Sequence, residues 1–153
     1  MQEFTSALLW QRGDQPFLDQ RYSRAHEWQF DGGLRVPASS SPLSVPLPMS
    51  VAANVDPEEA LVAAASSCHM LFFLALAAQR GFVVDAYRDQ ATGVLDTNEE
   101  GNMAMVRITL RPEIGFCGAP PDPTQLAALH HGAHQRCYIA NSIKAQIVVG
   151  EPR

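Results

Sequence analysis

The stretch from Leu61 to Ala78, LVAAASSCHMLFFLALAA, constrains this chain more than any other segment. It is nearly long enough to cross a bilayer, which takes about 20 apolar residues. Yet a third of it is alanine and it carries Ser66, Ser67 and His69 at its middle, where a hydrocarbon environment penalises polar groups most. It therefore reads as an apolar helix of a globular protein, with no membrane span. Asp56-Pro57-Glu58-Glu59 marks the helix start: Asp56 caps, Pro57 suits the first helical position, and Glu59 stands three residues after the cap as in a capping box. Gly81 ends the helix just after Gln79.

On this helix Leu61, Ala64/Ala65, Cys68, Leu71/Phe72 and Ala75 recur at helical spacing, which places Cys68 on the buried stripe. Burial raises a thiol pKa, so a reactive Cys68 requires a cation beside it; an inert core cysteine is the alternative. Asp122-Pro123-Thr124-Gln125 repeats the start signal for a second helix ending near Cys137, with Leu126, Leu129/His130, Ala133 and Cys137 on one stripe. Both thiols thus face inward and can meet, although they lie too far apart in sequence for a CxxC motif. Cys117, at a strand end, reads as a bystander. His130, His131 and His134 with Cys137 invite a metal reading by their three- and four-residue spacing, but no HExxH motif or second ligand cluster supports it. No metal or cofactor is assigned. His69 points about 100° around the helix from Cys68, so the adjacency of the two implies no Cys-His pair.

The remaining segments read as strands: Thr5 to Gln11, Tyr22 to Phe30, Leu34 to Pro37 after an Asp31-Gly32-Gly33 turn, a long pair over Val83 to Leu95 and Asn102 to Phe116, and Ile143 to Val149. A Pro/Ser-rich surface loop spans Ala38 to Val55. The order ββ(β)-α-ββ-α-β predicts an α+β fold with an antiparallel sheet, in one domain over residues 1–153. Eleven Lys+Arg against 16 Asp+Glu leave a net charge of −5, with no basic block, so no nucleic acid is expected. Only 18% of residues are charged, low for a fully wetted surface, and a subunit interface is the simplest cover. The N-terminal MQEFTSALLWQRGD has no secretory pattern; a cytoplasmic protein is expected, where any disulfide is transient or catalytic.

Asp56-Pro57-Glu58-Glu59-Ala60-Leu61, then Ala64-Ala65-Ser66-Ser67-Cys68-His69-Met70, then a helix bearing Cys137 before Asn141-Ser142 and a last strand, together resemble the OsmC/Ohr family of osmotically inducible and organic hydroperoxide resistance proteins. The resemblance runs from about Tyr22 to Val149. It implies an OsmC-like fold, antiparallel sheets wrapped around two central helices in an intertwined homodimer, and a thiol-dependent peroxidase. It also implies that Cys68 is the reactive cysteine and Cys137 the resolving one. Glu58 and an N-terminal arginine would organise the thiolate, Arg24 being the match, with Arg21 or Arg12 as alternatives. The implied partners are an organic hydroperoxide substrate and an external dithiol reductant, a lipoylated or thioredoxin-like protein. Ten residues of helix separate Glu58 from Cys68 by about 15 Å. Glu58 is therefore expected to act, with Arg24, on the Cys68 of the other subunit. Met70, Leu71, Phe72 and Phe73 are expected to form an apolar wall favouring organic hydroperoxides. The competing reading is a non-catalytic dimer of the same fold that binds a small apolar ligand.

Overall fold

The computed structural model describes residues 1–150, and the chain divides into two compact units, Met1–Ala60 and Leu61 onward. In the first unit β1 (Ser6–Leu9), β2 (His26–Phe30) and β3 (Arg35–Ala38) form an antiparallel sheet in that order. Leu8 stands opposite Trp28, which stands opposite Val36. The hairpin between β2 and β3 turns at Gly33, whose φ of 84° is a conformation that glycine adopts without penalty. The second strand begins at His26 rather than Tyr22. The Arg24 N–H donates instead to the Met49 carbonyl, at 2.7 Å, so residues 22–25 leave the ladder.

The loop following β3 is more buried than its proline content suggests, with Ala38 and Ser39 fully buried and Ser50 2% exposed. Serine supplies the bonds that proline cannot. The Ser39 hydroxyl accepts from the Val51 N–H at 2.9 Å, and the Ser39 N–H donates to the Val55 carbonyl at 3.0 Å.

Helix α1 is unbroken over Pro57–Gln79. Its capping box forms as the residue types dictate: the Glu59 N–H donates to the Asp56 carboxylate at 2.7 Å, and the Asp56 N–H to the Glu59 carboxylate at 3.4 Å. Its end is a Schellman motif around Gly81 (φ 80°), with the Phe82 N–H on the Ala77 carbonyl and the Gly81 N–H on that of Ala78.

In the second unit β4 (Val83–Asp89) pairs antiparallel with β7 (Pro112–Cys117), while β5 (Thr92–Thr97), β6 (Met103–Leu110) and β8 (Gln146–Val149) form a separate sheet. The two long strands expected over Val83–Leu95 and Asn102–Phe116 are therefore each broken into two. Pro112 has no N–H to continue a ladder. At the other corner the Asp89 carboxylate accepts the Arg111 N–H at 2.6 Å and the Ser66 hydroxyl at 2.5 Å. The last strand departs from the all-antiparallel expectation, since β8 runs parallel to β6.

Helix α2 (Pro123–Arg136) starts with a complete capping box between Asp122 and Gln125. It packs on α1 through Phe73, Leu76, Ala77, Leu129 and Ala133. Gly132 permits a close approach here, because a Cβ at that position would lie 3.0 Å from Leu76 Cδ1. A second cluster joins Ala65, Ile108, Leu110 and Ala145. Full burial of each large apolar side chain in these clusters contributes about 1.5–3 kcal/mol.

The buried residues of α1 are Ala65, His69, Phe73, Leu76 and Ala77, a stripe offset by one residue from the expected one. His69, not Cys68, occupies its centre. Because α1 is apolar on nearly every side, spacing alone does not select the face that its own chain covers.

Candidate active site

Cys137 closes α2: its N–H donates to the Ala133 carbonyl at 2.9 Å, and its side chain is only 1% exposed. Asn141 holds this corner by donating its side-chain amide to the carbonyls of Cys137 (2.9 Å) and Gln135 (3.0 Å). Cys68, half-buried on α1, neighbours Cys137, and both are free thiols. Burial first, and then Cys68, push the Cys137 thiol up to about 11. The Ala140 N–H, 3.3 Å from Cys137 Sγ, works the other way by favouring the thiolate. Beside the pair, the Phe72 and Tyr138 rings meet edge to face with centroids 5.1 Å apart. Cys117 lies apart, exposed at the end of β7 and opposite Val83.

The expected apolar wall is not continuous. Phe73 is fully buried against Tyr87 and His130, whereas Leu71 is 60% exposed. A run of four consecutive helical residues points in four directions, so it cannot all line one surface.

His69 and His130 form an imidazole pair that the sequence reading did not anticipate. His69 Nε2 lies 3.1 Å from His130 Nδ1, with the rings stacked at 5.4 Å between centroids. Burial, then the neighbouring His130 and His134, lower the His69 pKa to about 4, while Asp89 opposes them. Burial also lowers His130, again against Asp89. Nearby, the Tyr87 hydroxyl is buried without a partner, and burial followed by Asp89 raises its pKa. His130 thus bonds His69 rather than joining His134 and Cys137 in a ligand set. Among the described residues no three His, Cys, Asp or Glu side chains gather as a metal site. The spacing Ala65, His69, Phe73 was the available signal for His69.

In the first unit, Arg24 lines a cleft of about 510 Å³ together with Leu8, Trp10, Phe17, Tyr22 and His26. Its guanidinium lies 3.8 Å over the Tyr22 ring, and Nη1 donates to the carbonyls of Gln20 and Tyr22. The Arg24 carbonyl accepts from His26 Nδ1 at 2.8 Å, and His26 Nε2 accepts the Trp28 indole N–H at 3.0 Å. The indole can only donate, so the proton of neutral His26 sits on Nδ1. Backbone and side chain of Arg24 are both held. Arg12 and Arg21 are exposed and do not line the cleft. Glu58 is half-buried in the first turn of α1. Among the described residues neither Arg24 nor Glu58 has an ion-pair partner, so the two do not pair with each other within this chain. The Gln20 and Tyr22 carbonyls already engage the arginine.

Residues 51–151 match the family described as OsmC-like protein. The chain is 48% identical to an OsmC-like protein of unknown function from Vibrio cholerae, whose solved structure aligns over 99% of both chains with a TM-score of 0.96. An organic hydroperoxide resistance protein from Elizabethkingia anophelis aligns over 99% of this chain and 97% of that one, at 15% identity and a TM-score of 0.70. A third, the organic hydroperoxide resistance protein OhrB of Bacillus subtilis, aligns over 97% of each chain at 18% identity and a TM-score of 0.62. At such identities these two speak for the fold alone. No curated protein matches. On the family match and its two-helix α+β architecture, this chain is a member of the OsmC-like family.

Proposed function

We propose that the protein is a cytoplasmic thiol peroxidase that reduces organic hydroperoxides through Cys68 and Cys137. The observation that carries this reading is that the two free thiols are neighbours, the more accessible one, Cys68, being placed to react first. Cys68 thiolate attacks the distal peroxide oxygen; the O–O bond breaks, Cys68 becomes a sulfenic acid, and the leaving alkoxide takes a proton from water to depart as the alcohol. The Cys137 thiol then attacks the Cys68 sulfur, releasing water and forming the disulfide, which spares Cys68 from further oxidation. An external dithiol returns both to thiols.

Within its own chain no Lys or Arg among the described residues hydrogen-bonds Cys68. A half-buried thiol needs such a cation to ionise near neutral pH. This supports a homodimer in which Arg24 and Glu58 of one chain serve Cys68 of the other. Helix α1 is unbroken across Glu58 and Cys68, which keeps the two about 15 Å apart along one helix. Only five of the 23 residues of α1 are buried within the chain, leaving apolar surface for a second copy to cover.

The test is a thiol count after one equivalent of cumene hydroperoxide is added to the reduced protein. Two thiols should disappear in the wild type, and Cys68→Ser should consume no peroxide rapidly. An unchanged count would leave the non-catalytic, ligand-binding dimer as the surviving reading.

A further inference from the structure

We infer that the cleft in the first unit is a binding site for a small aromatic carboxylate. Its volume of about 510 Å³ falls in the range of small-molecule sites, about 300–1,000 Å³. One wall is a preformed aromatic cluster. Phe17 and Tyr22 stack with centroids 4.6 Å apart and 18° between planes, and Trp10 meets Tyr22 edge-on at 5.5 Å. Two bonds within the N-terminal segment hold this wall: the Trp10 indole N–H donates to the Ser23 carbonyl at 2.9 Å, and the Ser23 N–H to the Gln15 side chain at 2.7 Å. With its indole N–H already engaged, Trp10 offers the cleft only an apolar ring.

The polar groups facing this wall are donors with unused capacity. Arg24 uses Nη1 to hold itself against its own loop, while Nε and Nη2 make no hydrogen bond among the described residues and no carboxylate pairs with it. That leaves one edge of a planar fork, the geometry that takes a carboxylate through two bonds. Ser40 Oγ lines the cleft, buried and without a partner. Fully buried Ser39 also lines it; its oxygen accepts from Val51, so its hydroxyl proton remains to be given. An uncharged ligand would leave the Arg24 charge unanswered, and a flexible alkyl chain would not exploit the flat, rigid wall.

This site uses the same arginine as the thiol chemistry proposed above, and its effect on that chemistry rests on that reading. An acid bound in the cleft occupies the guanidinium proposed to serve a thiolate, and thereby acts as an inhibitor of the peroxidase.

The experiment is calorimetric titration of the reduced full-length protein with 2-naphthoate, 2-naphthamide and decanoate. Naphthoate should bind at least about tenfold more tightly than either of the others, as a charge-assisted pair to arginine requires. Arg24→Met should abolish its advantage over the amide, and Arg24→Lys should reduce it, since lysine keeps the charge but not the fork. Ser40→Ala should weaken naphthoate several-fold, and Trp10→Leu should weaken both ring compounds. Circular dichroism on each variant reports folding. Equal affinity for acid and amide, tighter binding of decanoate, or an unchanged preference in Arg24→Met would each overturn the assignment. Repeating the titration in Cys68→Ser separates the two readings, because naphthoate binding should persist there whether or not the wild type consumes peroxide.

Discussion

His69 Nε2 and His130 Nδ1 lie 3.1 Å apart in the contact between α1 and α2, where the His130 imidazole disfavours a proton on His69. Free histidine titrates near 6.5, whereas native His69 is lowered to about 4. Between those values the unfolded chain binds protons that the native chain refuses. The stabilisation is therefore fully present above about pH 6.5 and is lost as the pH falls toward 4, to the extent of about 3 kcal/mol from His69. Denaturant midpoints at pH 7.5 and 4.5 measure it. His69→Gln, which keeps a side-chain amide near His130, should flatten the acid limb; an equal acid loss in both proteins would exclude the pair as its source.

The raised pKa of Cys137 predicts a fixed order of alkylation. At pH 7.5 iodoacetamide should modify Cys137 last of the three thiols, read by mass spectrometry of peptides from the reduced protein. Cys68→Ala removes one of the causes that raise Cys137 but leaves its burial, so the pH at which Cys137 reacts should move down by part of its displacement. No movement would mean that burial alone sets it.

Asp89 ties the β4–β5 corner to α1 and to the β6–β7 corner through Ser66 and the Arg111 N–H. Asp89→Ala strands both donors and should destabilise the protein by about 2–4 kcal/mol, against about 1 kcal/mol for Ser66→Ala. Urea unfolding of the two variants gives the comparison. Similar losses would show that the Arg111 bond contributes little.

Gly93 on β5 has no room for a side chain: a Cβ there would lie 2.6 Å from both Met105 Sδ and Val62 Cγ2. Gly93→Ala should cost about 1–3 kcal/mol through overpacking. Adding Val62→Ala should recover part of that loss, and a purely additive double variant in thermal melts would refute the steric account.

How far the site was legible follows from the type of signal each residue carries. The caps at Asp56 and Asp122 and the turn at Gly33 were readable because they depend on neighbours within a few residues. The proximity of Cys68 and Cys137 was accessible as two inward stripes. The stripe on α1 was nevertheless misplaced by one residue, since an apolar surface on nearly every side carries no phase. The His69–His130 bond joins residues on different helices, and neither local sequence contains the other.

The sequence by itself determined the two helices, their boundaries, the apolar character of α1 and the family to which the chain belongs, because backbone hydrogen-bond satisfaction at helix ends and local side-chain chemistry act over a few residues. Only the tertiary structure decided that each long strand breaks at Asp89 and at Pro112, that His69 faces the core, and that Arg24 turns to Tyr22 and the carbonyls of its own loop instead of Glu58. These outcomes depend on which groups compete for the same donor or the same buried volume. That competition exists only once distant segments of the chain are packed together.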